Sequence, residues 1–542
     1  MRHTIIGAAG LMVLALACAA KAAPVPACGD NDSGDDLTSL YGDDIASHRM
    51  FDLKPIVFDQ GDNASYQVNL TLLVNADGSI KCVQLPQDEA DTYSVHYPDD
   101  AIRAAVSAWR YEPYHDGGKA IPFSVTETVL VTHAPLKPVP MPQGSPADSA
   151  VTLERTDCFG TCPVYKVTIH GDGKVEYSGT QYVGVTSDLS YTVSPADAAA
   201  LFDQLRKDEV WSAQNAYVGA ETDSANTLIT LNIGGQTKTI RDYLGTDAGI
   251  PDTVTAAESA VDTLAGTDRW IHVTQDSLAD LDARHFDYAG APGAALLVNV
   301  IQDTDSDDAV VQALLDRHVA LDGAAPWDTP DTVKLPLDAA LENGRSAVVP
   351  ALIKAGVLLK DGKPDQDRID SAFRIAIPNG DVDSAKTLGA LHPALTYPYS
   401  YTDYDTDPST DKTADVSDLF LIDPDGDHAA DMYQYLLSLG ADPKALDNNN
   451  TTVLQKLVND TEIAKSLIGL GVDVNAKDKD GSCALLEVTN EDSALLLLNS
   501  GADPTVQNGF GDNIFSQADF YDWPKVQAWL KAHKIKAPAP AT

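Results

Sequence analysis

Apolar and polar positions alternate along residues 66–85. Val68, Leu70, Leu72 and Val74 fall on one side, Asn75-Ala76-Asp77-Gly78 reverses the chain, and Ile80, Cys82 and Leu85 continue. A period of two around such a turn predicts a β-hairpin. The period changes at Asp99–Arg110, where Ile102, Val106 and Trp109 share one helical face. Pro113 and Gly117-Gly118 end that helix, and alternation over 123–131 predicts a closing strand. Together these elements make a small α+β domain over 46–133.

The pattern repeats after a break. Pro135, Pro138, Pro140, Pro142 and Pro146 mark residues 134–149 as a semi-rigid linker. Beyond it Val151 and Leu153, then Tyr165, Val167 and Ile169, occupy alternate positions; Gly171-Asp172-Gly173 turns, and Val175 and Tyr177 return as a second hairpin. Ser194-Pro195-Ala196-Asp197 opens a helix, because serine can cap and proline fits the first turn. Leu201, Phe202 and Leu205 give it an apolar face. Residues 228–233 and 237–244 flank Gly234-Gly235 as a third strand pair, residues 251–266 read as a helix, and Trp270 closes a second α+β domain over 150–273.

Towards the C-terminus the pattern becomes periodic on a longer scale. Gly440-Ala441-Asp442-Pro443, Gly471-Val472-Asp473-Val474-Asn475 and Gly501-Ala502-Asp503-Pro504 place their glycines 31 and then 30 residues apart. Leucine-rich runs such as Tyr435-Leu436-Leu437 and Leu495–Leu498 precede them. This recurrence predicts stacked helical units, with glycine supplying the positive φ at each helix end. Residues 397–412 interrupt the period with Tyr397, Tyr399, Tyr401 and Tyr404 among Asp403, Asp405, Asp407 and Asp411. This insertion reads either as a recognition loop or as a disordered, solvated one; the composition favours the second.

Three resemblances follow. Residues 50–132 resemble the C-terminal domain of TonB-like energy transducers through Leu72–Gly78, Ala101–Ala105, Trp109-Arg110-Tyr111-Glu112-Pro113 and Gly118–Pro122. The resemblance implies a two-layer domain that pairs with an extended peptide, although no inner-membrane helix or long proline-rich spacer precedes it. The string Cys158–Tyr165 with its Gly-Asp-Gly hairpin looks like an uncharacterised bacterial domain. Residues 280–535 resemble ankyrin repeats, as six or seven degenerate units that include Leu335–Ala340, Ala372–Ala376, Thr452–Gln455, Cys483–Leu486 and Asn513–Ala518. In that family the turn tips carry binding, which points to Asp447, Asn449, Lys477, Asp478, Asn508 and Phe510. The expected fold is therefore multidomain: two small α+β domains followed by an all-α ankyrin-repeat solenoid, with a tail at 536–542.

Composition narrows the partners. The 37 basic and 80 acidic residues give a net charge of −43, which disfavours nucleic acid and anionic membrane surfaces. Arg2, the apolar run Ile5–Ala17 and Ala20-Lys21-Ala22 predict a signal peptide over 1–22, cleaved after Ala22. Ala15-Leu16-Ala17-Cys18 offers a rival reading, a lipid anchor at Cys18. No later segment is apolar enough to span a membrane, and residues 23–45 read as a flexible acidic leader. Export permits disulfides; Cys158 with Cys162 is the leading pair, Cys28 with Cys82 a looser one, and Cys483 reads as a buried residue within a repeat.

Catalytic signals are sparse. The chain carries no P-loop, nucleophile elbow or HExxH string. Asp303-Asp305-Asp307, Asp403-Asp405-Asp407 and Asp423-Asp425-Asp427 lack the glycine and glutamate that an EF-hand loop requires, so no metal is assigned. No cofactor is expected. The expected function is an exported, non-enzymatic, protein-binding scaffold in the periplasm of a bacterial envelope. One alternative is an envelope accessory whose TonB-like domain binds an extended peptide of a membrane receptor. The other is a redox factor using Cys158 and Cys162.

Overall fold

In a computed structural model of the chain, the alternating run at residues 66–74 lies within an eleven-residue strand, Ala64–Val74. The structure describes residues 24–29, 37–40, 42–60, 62–85, 96–135, 137–322, 335–403, 410–509 and 511–538. The predicted signal peptide, Ala22, Cys18 and Phe510 lie outside them. Contacts divide the chain into two units, Met1–Tyr182 with Asp188–Asp268, and Val183–Ser187 with Arg269–Thr542.

The first unit is built on strands β1 (Thr38–Leu40), β2 (Ile56–Phe58), β3 (Ala64–Val74), β4 (Ile80–Gln84), β5 (His115–Asp116), β6 (Lys119–Ala120) and β7 (Phe123–His133). They continue as β8 (Ser149–Arg155), β9 (Val164–His170), β10 (Lys174–Gln181), β11 (Asp188–Thr192), β12 (Ala216–Val218), β13 (Thr227–Ile233) and β14 (Gln236–Tyr243). Helices α1 (Asp43–His48), α2 (Asp99–Val106), α3 (Pro195–Lys207) and α4 (Asp252–Ala265) accompany them. Local chemistry explains many boundaries. Ser194 caps α3 by accepting a hydrogen bond from Ala196 N, and Gly266 ends α4 in the left-handed region. Gly78 closes the β3–β4 turn at φ +80°, where a Cβ would collide with the Tyr111 carbonyl oxygen. That close approach locks the Asn-Ala-Asp-Gly turn against the Trp109–Pro113 element.

The decisive feature is one strand of three residues. β12 pairs in parallel with β3 on one side (Ala216 opposite Ala64) and with β14 on the other (Ala216 opposite Arg241). The result is a single mixed sheet of twelve strands running β1-β7-β3-β12-β14-β13-β8-β9-β10-β11, with β2 also on β7 and β4 also on β3. The expectation of two small α+β domains followed by an all-α ankyrin-repeat solenoid is corrected here. Both N-terminal stretches belong to one sheet, and the helical C-terminal half is interrupted by the hairpin Thr396–Asp403/Thr410–Ser417 and the short pair Leu359–Lys360/Lys363–Pro364.

The proline-rich segment is largely exposed but is anchored at points along its path. Met141 is 5% exposed, and Val139 exchanges hydrogen bonds of 2.9 and 3.0 Å with the Ser212 hydroxyl. The segment expected as a flexible leader also carries structure where it is described. Residues 24–29 dock beside β4, with Cys28 N donating to Val83 O at 3.1 Å, and β1 pairs with β7.

In the second unit, helices over Ala291–Gln302, Asp308–Asp316, Pro336–Glu342, Val349–Ala355, Gln366–Ala376 and Val382–Gly389 precede the hairpin. Helices over Ala429–Leu439, Val453–Leu457, Thr461–Gly469, Glu491–Asn499, Ile514–Phe520 and Pro524–Ala532 follow it. The glycines of the recurring phrase take positive φ, +102° at Gly440, +78° at Gly471 and +93° at Gly501, as helix ends require. The 397–412 insertion is a hairpin where described, with Tyr397 opposite Val416 and Tyr399 opposite Ala414; Tyr404, Asp405 and Asp407 lie outside the described residues.

Candidate functional site

β8 ends at Arg155, opposite Tyr165 on β9, and the loop between them carries Cys158 and Cys162. Those two cysteines are disulfide-bonded with Cα atoms 5.8 Å apart, and Cys28 and Cys82 are bonded at 5.0 Å. Cys483 is buried and unpaired, and burial raises its thiol pKa. Backbone hydrogen bonds from Phe159 N to Asp223 O and from Thr156 N to Asn226 O, both 3.0 Å, moor the Cys158–Cys162 loop. Phe159 itself stands out into solvent, 91% exposed.

Beneath this loop lies a polar cluster that the sequence reading did not identify. Arg155 donates from Nε to Tyr165 Oη at 2.9 Å, from Nη1 to Thr227 Oγ1 at 3.0 Å and from Nη2 to Asp262 Oδ2 at 2.8 Å. Tyr165 and Thr267 hydroxyls donate to Asp262 Oδ1 at 2.7 and 2.8 Å. Burial pushes the Tyr165 hydroxyl up to about 12, so it remains a donor. Against the cost of burial, Tyr165 and Asp262 hold the Arg155 guanidinium above its ordinary value.

One helical turn before Asp262, Glu258 is 5% exposed and its Oε1 has no hydrogen-bond partner. Burial, reinforced by the Asp242 carboxylate, raises its pKa to about 8. Asp242 is raised as well, chiefly by burial, while its Oδ1 accepts from Gly245 N at 2.7 Å. A neutral carboxylic acid is therefore stored next to a closed Arg–Tyr–Asp set. Arg155, Tyr165 and Asp262 spend their polar atoms on one another and on Thr227 and Thr267, which fixes the strand ends from which the Cys158–Cys162 loop leaves. A signal was present: Glu258 sits among Val254, Ala257 and Val261 on the apolar face of α4. The same signal marks Glu127, an acidic residue at the inward positions of β7 between Val125 and Val129. Glu127 is 3% exposed and takes a fork from Arg49 (3.0 and 2.5 Å) and the Tyr111 hydroxyl (2.7 Å).

The sequence-assigned tips form a bonded series. Asp447 Oδ1 accepts from Asn449 N (2.9 Å) and Thr451 N (2.7 Å), and Asp478 Oδ1 accepts from Asp480 N (3.0 Å) and Ser482 N (2.8 Å). Asn508 Oδ1 accepts from Asp512 N at 2.9 Å. Successive tips are linked, Lys479 N donating to Asn449 O at 3.0 Å and Gly509 N to Asp480 O at 3.4 Å. Asp447, Asp478 and Asn508 thus shape the turns, whereas Lys477 and Lys479 expose their side chains.

Residues 50–132 have most of their strand edges paired within the sheet. β7 carries β1 and β2 on its outer edge, and β3 carries β12 and β4 on its own. In the second unit an open groove of about 740 Å³ passes Gly344, Asp381, Lys386, His428, Asp431 and Tyr435. Lys386 pairs with Asp383 at 3.7 Å, and His428 Nδ1 lies 3.8 Å from Asp431 Oδ2.

Among the described residues no helix is long and apolar enough to cross a membrane. Two disulfides fit an oxidising compartment. Residues 149–265 match a family described as a domain of unknown function, DUF6438. The match begins at the first residue of β8 and ends at the last of α4, so it contains the Cys158–Cys162 loop and Glu258. No curated protein matches the chain.

Proposed function

We propose that this chain is an exported, non-enzymatic protein-binding scaffold of a bacterial envelope, working in the periplasm through its C-terminal ankyrin-like units. The observation that carries this reading is the linked series of tips at 447–451, 478–482 and 508–512. Each tip is held by an Asp or Asn side chain, and neighbouring tips bond to each other across the roughly thirty-residue interval. Turns tied in this way leave less backbone ordering entropy to lose on contact.

The test uses the full chain, purified with its partners from the native envelope. Lys477→Glu combined with Lys479→Glu leaves the turn-forming carboxylates in place. It is expected to remove one or more captured proteins while leaving the melting temperature unchanged. An unchanged set of partners would sink the tip assignment.

A further inference from the structure

The helix Asp268–Ile271 ends just before His272, and the helix Ala291–Gln302 ends just before Asp303. These two ends meet, with His272 Nδ1 3.1 Å from Asp303 Oδ2. Asp305 completes the group: one donor atom from each of the three side chains lies within 4.8 Å of the others. His272 and Asp305 are exposed and Asp303 is half-buried, so one side of the group is open to solvent.

The loop bearing the carboxylates is shaped without an ion. Arg345, 9% exposed, fills it from within. Its Nη1 donates to Val300 O at 2.6 Å and Asp303 O at 3.3 Å, its Nη2 to Ser306 O at 2.9 Å, and its Nε to Asp308 Oδ1 at 2.9 Å. Asp307 is used to cap the next helix, accepting from Ala309 N at 2.8 Å. The guanidinium therefore occupies the inward-facing carbonyl oxygens that a calcium ion would need. What remains on the outer side is an imidazole and two carboxylates.

We propose that His272, Asp303 and Asp305 form a binding site for a divalent transition ion of the zinc class. Imidazole with carboxylate is a donor set suited to zinc and its neighbours, whereas calcium and magnesium take oxygen alone. Donors about 2.0–2.1 Å from one ion stand roughly 3.0–3.4 Å apart; His272 Nδ1 and Asp303 Oδ2, hydrogen-bonded to each other at 3.1 Å, have that spacing, and the Asp305 oxygen lies within 4.8 Å of both. Asp303 is already oriented, with Ser306 Oγ donating to Oδ2 at 2.9 Å and Asp305 N donating to Oδ1 at 3.1 Å. Such outer hydrogen bonds set ligand direction at metal sites. The open side leaves a position for water or for a donor from a bound partner.

Titration calorimetry of the metal-stripped, tag-free full chain with zinc chloride, in excess magnesium chloride, tests the site. One saturable event is expected. His272→Gln keeps a donor towards Asp303 but removes the ring, and Asp305→Asn removes a charged ligand; each is expected to weaken binding by about 10–100-fold or more. Cobalt is expected to give a visible absorption band that His272→Gln abolishes. Both variants should melt like the parent without metal, since both positions are exposed, and this is checked in chelator. Absence of saturable zinc binding in the presence of excess magnesium, or zinc affinity unchanged in His272→Gln, overturns the proposal.

Discussion

Glu258 and Glu127 are both acids on apolar faces, yet they meet different partners there. Glu127 faces a guanidinium fork and a phenol, so its charge is paired. Removing one partner of such a pair typically costs about 3–5 kcal/mol. Glu127→Ala should therefore lower the stability of the first unit by about that much in a urea titration, and Arg49→Ala by a similar amount. Glu258 faces Asp242 and Asp262 with Arg155 as the opposing charge, and its pKa rises from 4.5 to about 8. The raised value means folding favours the protonated acid. This contribution is complete below about pH 4.5 and is lost as pH climbs through about 8. Raising the pH from 5 to 9 should cost the first unit about 2 kcal/mol or more from this group. Glu258→Gln, neutral at every pH, should flatten the melting-temperature profile across that window. A profile as steep as the parent's would show that other groups govern it.

At the scale of elements, three residues of β12 matter more than the fifteen-odd residues of proline-rich chain beside them. Ala216–Val218 supplies the ladder that makes one sheet of two patterns. Proline in a central strand removes a ladder hydrogen bond and clashes with its neighbours. Tyr217→Pro should accelerate amide exchange at 64–66 and 241–243 and split the unfolding of the first unit into two transitions. Retention of a single transition would mean that the join rests on other contacts. The tip series gives a smaller, separate effect. Asp478→Ala forfeits the bonds to Asp480 N and Ser482 N, and a loss of about 1 kcal/mol is expected in the second unit.

For the whole molecule, the cysteines offer the simplest count. A chain cleaved after Ala22 retains five of its six cysteines, four of them in the bonded pairs Cys28–Cys82 and Cys158–Cys162. Denatured, unreduced protein should therefore titrate one thiol, from Cys483, and five after reduction. The two bonds are unequal. Loop-closure entropy gives about 4 kcal/mol for the 54-residue separation and about 2 kcal/mol for the separation of 4. Reduction should thus destabilise the first unit chiefly through Cys28–Cys82, so Cys28→Ser should reproduce most of its effect on urea unfolding.

The amino-acid sequence by itself determined the local elements. The β3–β4 turn, the Ser194 cap, the Gly266 end of α4 and the glycines of the recurring phrase depend on a few neighbouring residues, and each is legible from them. Both disulfide pairs were also legible, from a short cysteine count. The tertiary structure alone decided that β12 joins two patterns into one sheet, because a three-residue strand carries no usable period and its partners lie far along the chain. It also decided that the Glu258 carboxyl is raised, since its solvation depends on what covers it. The approach of His272 to Asp303 belongs to the same class: 31 residues separate them, and only the meeting of two helix ends brings imidazole and carboxylate together.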